Sequence, residues 1–173
     1  MDVNEFVNRI FQFVFDKKAV DSYGEKWNLS FRELMEIRLN SIVIQWYATK
    51  VYISARTITD KLPGIENAST TQIYHNLFLT PGLLPEDMNG FKSEILLKIT
   101  EQKDFYNSVY VSGLHDITGY PFIREIGECF AELCNRSDSE ELKKLGSNLF
   151  GSCLNKCINE FKYVRIDFLD SRG

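Results

Sequence analysis

Residues 31–61, FRELMEIRLNSIVIQWYATKVYISARTITDK, decide how the rest of the chain is read. The stretch carries no Gly or Pro until Pro63-Gly64, and it opens on Ser30-Phe31-Arg32-Glu33. That pattern has the form of a capping box, in which the Ser hydroxyl accepts an orphan amide and the Glu reaches back to the cap. A long helix from Ser30 is therefore predicted. Its apolar members, among them Met35, Leu39, Val43, Trp46, Tyr47, Tyr52 and Ile53, surround the axis and do not form one stripe, as in a helix wrapped by others. The rival reading is a strand. Ile42 to Val51 is rich in β-branched and aromatic residues, and Val51, Ile53, Ala55 and Thr57 alternate with more polar neighbours.

On the N-terminal side, Val3, Phe6, Val7, Ile10, Phe13 and Val14 recur at helical spacing, which predicts a first helix over about Val3 to Val20. Ser22-Tyr23-Gly24 reads as a break leading through Trp27 to the central helix. On the C-terminal side, a polar loop is followed by Thr70 to Leu79, about two helical turns, and by Thr80-Pro81-Gly82-Leu83-Leu84-Pro85. Leu83 and Leu84 either tuck beneath this loop or extend a docking surface. Phe91, Ile95, Ile99, Tyr106 and Val109 predict a helix from about Asn89 to Val111, although Val109 and its neighbours would also make a short strand. Ile123, Ile126, Phe130 and Leu133 mark the next helix, begun near Pro121. Leu142, Leu145, Leu149, Cys153 and Phe161 mark the last, with Ser137-x-x-Glu140 and Asp138-x-x-Glu141 as alternative caps. These two helices are expected to form an antiparallel hairpin. Tyr163 to Leu169 alternates, and Val164 reads as part of a terminal strand or an extended tail.

The 173 residues fit one domain, large enough to bury a core without staples. With a formal charge of -4 and no basic cluster along the sequence, nucleic acid is a disfavoured partner. Gln45, Lys50 and Arg56 interrupt the most apolar stretch, so no membrane span is expected. The N-terminus lacks a signal-peptide pattern, and the chain reads as soluble and cytoplasmic.

The four cysteines, Cys129, Cys134, Cys153 and Cys157, fall in two pairs. Helical geometry sets Cys134 and Cys153 at levels roughly 20 Å apart, which argues against a shared zinc ion and for buried reduced thiols. A second candidate is Val109-Tyr110-Val111-Ser112-Gly113-Leu114-His115-Asp116, an apolar run ending in His-Asp. It resembles the core of the HD phosphohydrolase motif. That resemblance implies a divalent metal held by His75, His115 and Asp116, with Asp138 or Asp167 as the later ligand, and a metal-activated water attacking a phosphoester. Thr118 and Gly119 depart from the basic continuation that family uses. Serine-hydrolase, P-loop, zincin and redox-dithiol signatures are absent.

The third feature is electrostatic. Glu125, Glu128 and Glu132 share one helix face, with Glu132 relieved by Arg136 and Glu128 read as the unrelieved member. Glu140 and Glu141 extend this patch across the hairpin turn. The sequence therefore predicts a mainly α single domain, a bundle of five or six helices around Phe31 to Lys61, with short strands possible at Val109 and Val164. The expected function is a non-catalytic inhibitor, adaptor or immunity-type protein that docks a basic protein partner through Glu125, Glu128, Glu132, Glu140, Glu141, Leu83 and Leu84. No cofactor is called for. The alternatives are the metal-dependent phosphohydrolase and a helical sensor enclosing a small apolar ligand between Trp46, Tyr47, Tyr52 and Phe105.

Overall fold

The computed structural model describes residues 1–2, 5–6, 9–10, 18–61, 84, 86–113 and 120–166. Five α-helices account for most of them: α1 (Lys18–Lys26), α2 (Phe31–Asp60), α3 (Lys92–Gly113), α4 (Tyr120–Leu133) and α5 (Glu140–Phe161), with a 3-10 turn at Glu86–Phe91 before α3. There is no strand among the described residues. The chain is a mainly α bundle, and no described helix is long and apolar enough to cross a membrane.

The central stretch is helical throughout. Ser30 caps it: its Oγ accepts from Glu33 N at 3.2 Å, and Glu33 Oε2 accepts from Ser30 N at 3.2 Å. It ends at Lys61, whose backbone turns left-handed at φ 53° and ψ 54°. Every residue from Leu39 to Thr49 is buried, so three successive turns are covered on all sides. That burial settles the choice between helix and strand. Each β-branched residue in a helix costs a few tenths of a kcal/mol, whereas burying its side chain contributes about 1.5–3 kcal/mol.

Around α2 pack α1, α3, α4 and α5, and α4 packs most extensively on α5. The hairpin between α4 and α5 is close because two positions lack side chains. A Cβ at Gly127 would lie 2.3 Å from the Lys143 carbonyl, and one at Gly146 would lie 2.7 Å from Phe130 Cβ. Buried polar groups fix the register of the helices. Asn40 donates to the Leu133 carbonyl at 3.3 Å and accepts from Gln102 Nε2 at 2.8 Å, joining α2, α3 and α4. Tyr47 donates to Asn107 Oδ1 at 2.8 Å and stacks on Tyr106.

At the far end of α2, Arg56 binds the bundle's closing turn. It donates to the carbonyls of Phe161 (2.7 Å) and Val164 (2.8 Å), to Tyr52 Oη (3.0 Å) and to Asp60 (2.9 Å). Its guanidinium also lies over the rings of Phe6 and Tyr52. Burial disfavours the charge, but the bonds to Tyr52 and Asp60 outweigh it and raise the pKa.

Several local expectations are corrected. Ser22-Tyr23-Gly24 is no break: α1 runs through it to Lys26, because Gly24 packs closely on Leu34. Val109 lies inside α3, since Ile95, Ile99, Gln102 and Tyr106 extend its buried face to that point. Val164 follows a turn, its N–H donating to the Phe161 carbonyl at 3.1 Å, and it pairs in no strand among the described residues. The cap of α5 is Ser139, accepting from Leu142 N at 3.2 Å, and neither Ser137 nor Asp138. Much of the expected first helix and the segment Thr70 to Leu79 lie outside the described residues.

Candidate functional site

Three turns meet at the N-terminal end of α2. α1 ends where Asn28 adopts a left-handed conformation, φ 50°, and this leaves Trp27 50% exposed on a cleft wall. The first two turns of α2, begun at the Ser30 cap, contribute Arg32, Glu33 and Glu36. The connection from α4 to α5, turned by Asn135 at φ 58°, contributes Arg136 and Asp138 to Glu141. Together they bound an open cleft of about 1060 Å³.

The cleft is rich in carboxylates, yet most already have a cation. Glu33 pairs with Arg136 at 3.3 Å, Glu140 with Lys143 at 2.8 Å, and Glu36 with Lys98. Glu141 receives both the Lys26 ammonium and the Trp27 indole N–H, the latter at 2.9 Å. Those two bonds, Lys26 first, hold the Glu141 carboxyl below its ordinary pKa, and Lys143 does the same for Glu140. Lys26 Nζ also lies 5.8 Å from the centre of the Trp27 ring. Tyr23 Oη and Ser139 Oγ, 3.2 Å apart, complete the junction of α1 with α5. Arg32 is exposed and has no ion pair among the described residues, whereas Asp138, also exposed, accepts from Ser137 Oγ at 3.4 Å and helps to hold the charge of Lys143.

The predicted acidic strip divides. Glu125 and Glu132 are exposed on α4 and have no cationic partner among the described residues. Glu128 is not unrelieved: Arg124, one turn earlier, reaches it at 3.4 Å. Arg136 turns to Glu33 and leaves Glu132 alone. Glu140 and Glu141 line the cleft, which Glu125, Glu128 and Glu132 do not. Leu84 is buried in the core, 5% exposed, so it is withdrawn from any docking surface, and Leu83 lies outside the described residues.

His75, His115, Asp116 and Asp167 also lie outside the described residues. Among the described residues no three His, Cys, Asp or Glu side chains gather where a metal could be held. All four cysteines are buried and unpaired as disulfides. Burial pushes the Cys134 thiol up to about 12 and raises Cys129 further, while the hydrogen bond to Cys153 and burial raise Cys157. Of the four rings expected as pocket walls, Trp46 is buried beside Tyr47. Tyr47 contacts Tyr106 and Phe150, Tyr52 contacts Phe6 and Phe161, and Phe105 is 38% exposed.

Sequence reasoning missed the seat formed by Lys26, Trp27 and Glu141. A signal was present in Lys26-Trp27-Asn28-Leu29-Ser30, where a turn-forming Asn and a helix cap directly follow the tryptophan and place it at the end of one helix and beside the start of the next. What it could not supply was Glu141, 114 residues from Trp27. No known protein family matches this chain, and neither does any curated protein or solved structure.

Proposed function

We propose that the chain is a non-catalytic docking module, an inhibitor, adaptor or immunity-type protein, which binds a basic protein through the outer faces of α3 and α4. The observation that carries this reading is the pair Glu125 and Glu132, exposed and without a cation among the described residues, where the carboxylates of the cleft are largely neutralised. On the neighbouring helix, Glu94, Glu101 and Asp104 are exposed in the same way. Their spacing puts them on one stripe of α3 with Leu97 and Phe105, which are 57% and 38% exposed. Unpaired charge of one sign steers an oppositely charged partner, and exposed apolar residues within it add contact area once the partner arrives. Four buried, unpaired thiols accord with work in a reducing compartment such as the cytoplasm.

The test is the triple variant Glu125→Lys, Glu128→Lys, Glu132→Lys, measured for melting and for association with the partner recovered from the native host. Association is expected to slow by about tenfold or more at low salt, with the difference shrinking as salt rises and the melting curve unchanged. Equal association rates for variant and wild type would leave the strip as solvated surface.

A further inference from the structure

We infer that the cleft at the junction of α1, α2 and α5 is a recognition seat for a basic side chain on a peptide segment, and that Lys26 occupies that seat in the free protein. The chain itself displays the chemistry. The ammonium of Lys26 rests on the Glu141 carboxylate and over the Trp27 ring, 5.8 Å from its centre. The indole N–H donates to the second carboxylate oxygen at 2.9 Å, so ring and acid fix each other while the ring face stays half-exposed. An aromatic face beside a carboxylate attracts ammonium and guanidinium groups alike.

Lys26 holds this position loosely. Its side chain is 63% exposed, and exposed ion pairs exchange readily because water and salt compete for both charges. The cleft, about 1060 Å³, is much larger than one side chain. Arg32 on the α2 wall is unpaired among the described residues and opposes a further cation beside it, so the preference is for one basic side chain at the Trp27 end. This seat is separate from the α3 and α4 surface, and either can fail without the other.

The experiment uses the full chain labelled with ¹⁵N. Its two tryptophans give two indole signals, assigned with Trp27→Phe, and the Trp46 signal reports an intact core. A capped Gly-Arg-Gly-Arg peptide is titrated beside its citrulline counterpart, which has the same shape without charge. The Trp27 signal is expected to move saturably with the arginine peptide only, and Glu141→Gln is expected to abolish that response. Lys26→Met should tighten binding by about threefold, the scale of one exposed ion pair. Lys162→Met, the same charge change at the far end of α5, should not. The inference is overturned by a Trp27 signal that neither peptide moves, by an equal response to citrulline, or by Lys26→Met binding no tighter than Lys162→Met. Glu125→Lys with Glu132→Lys should leave the titration unaltered at physiological salt, which separates this seat from the α4 strip.

Discussion

The two ends of α2 are built from the same materials and behave differently. At its C-terminal end one arginine, 14% exposed in its side chain, satisfies two carbonyls, a phenol and a carboxylate beneath two aromatic rings. At its N-terminal end, Glu33, Glu36 and Glu141 each meet a cation in an open cleft. Counting ion pairs would rank the N-terminal end as the better held. Water reverses that ranking, because the attraction between charges is screened more strongly in the cleft than around Arg56. One end is a clamp and the other is a surface that can exchange its contacts.

The tryptophans offer the largest test of this contrast. Trp46, 5% exposed within the covered turns of α2, is expected to cost about 3–5 kcal/mol when replaced by Ala. Trp27→Ala should stay within about 0.5 kcal/mol, as for other surface positions. Urea melts of both variants decide it, and a Trp46 shift below about 1 kcal/mol would deny α2 its organising role.

Next comes Arg56→Met, which keeps the apolar stem and removes the guanidinium. The carbonyls of Phe161 and Val164 lose their charged donor, and a loss of about 2–4 kcal/mol is expected. Lys26→Met should leave the urea midpoint where it is. Equal shifts would show that burial does not separate the two ends.

The smallest effect concerns acid. The folded pKa of Glu141 lies below its ordinary value of 4.5, so its contacts are intact above that value and are lost as pH falls through the depressed one. The Trp27 indole signal should therefore stay constant down to about pH 4.5 and move only below it. Movement between pH 5 and 7 would mean that another group governs the seat.

How much of this was legible beforehand depends on how far apart in sequence the participants lie. The Ser30 cap, the covered turns of α2 and the hairpin of α4 and α5 rest on local spacing, and the sequence carries them plainly. Ser139 prevailed over Ser137 and Asp138 as the cap of α5 because three acceptors in a row compete on geometry that composition does not encode. The grouping of Glu140 and Glu141 with Glu125 followed a linear patch, whereas the hairpin turn delivers the first two to a different wall. The clamp of Arg56 and the seat of Trp27 join residues more than a hundred positions apart, and no spacing rule reaches that far.

That separation also orders the events of folding. The α4 and α5 hairpin closes a short loop, with contacts such as Ser147 to Ile123 only 24 residues apart, so its chain-closure cost is met early. The cleft needs Tyr23, Trp27 and Lys26 to find Ser139 and Glu141 across 114 to 116 residues. Its closure follows that of the hairpin, and backbone amides of α1 should exchange with solvent ahead of those in the hairpin. During synthesis on a ribosome Lys26 and Trp27 have no Glu141 to bind until nearly all of the described helices have emerged.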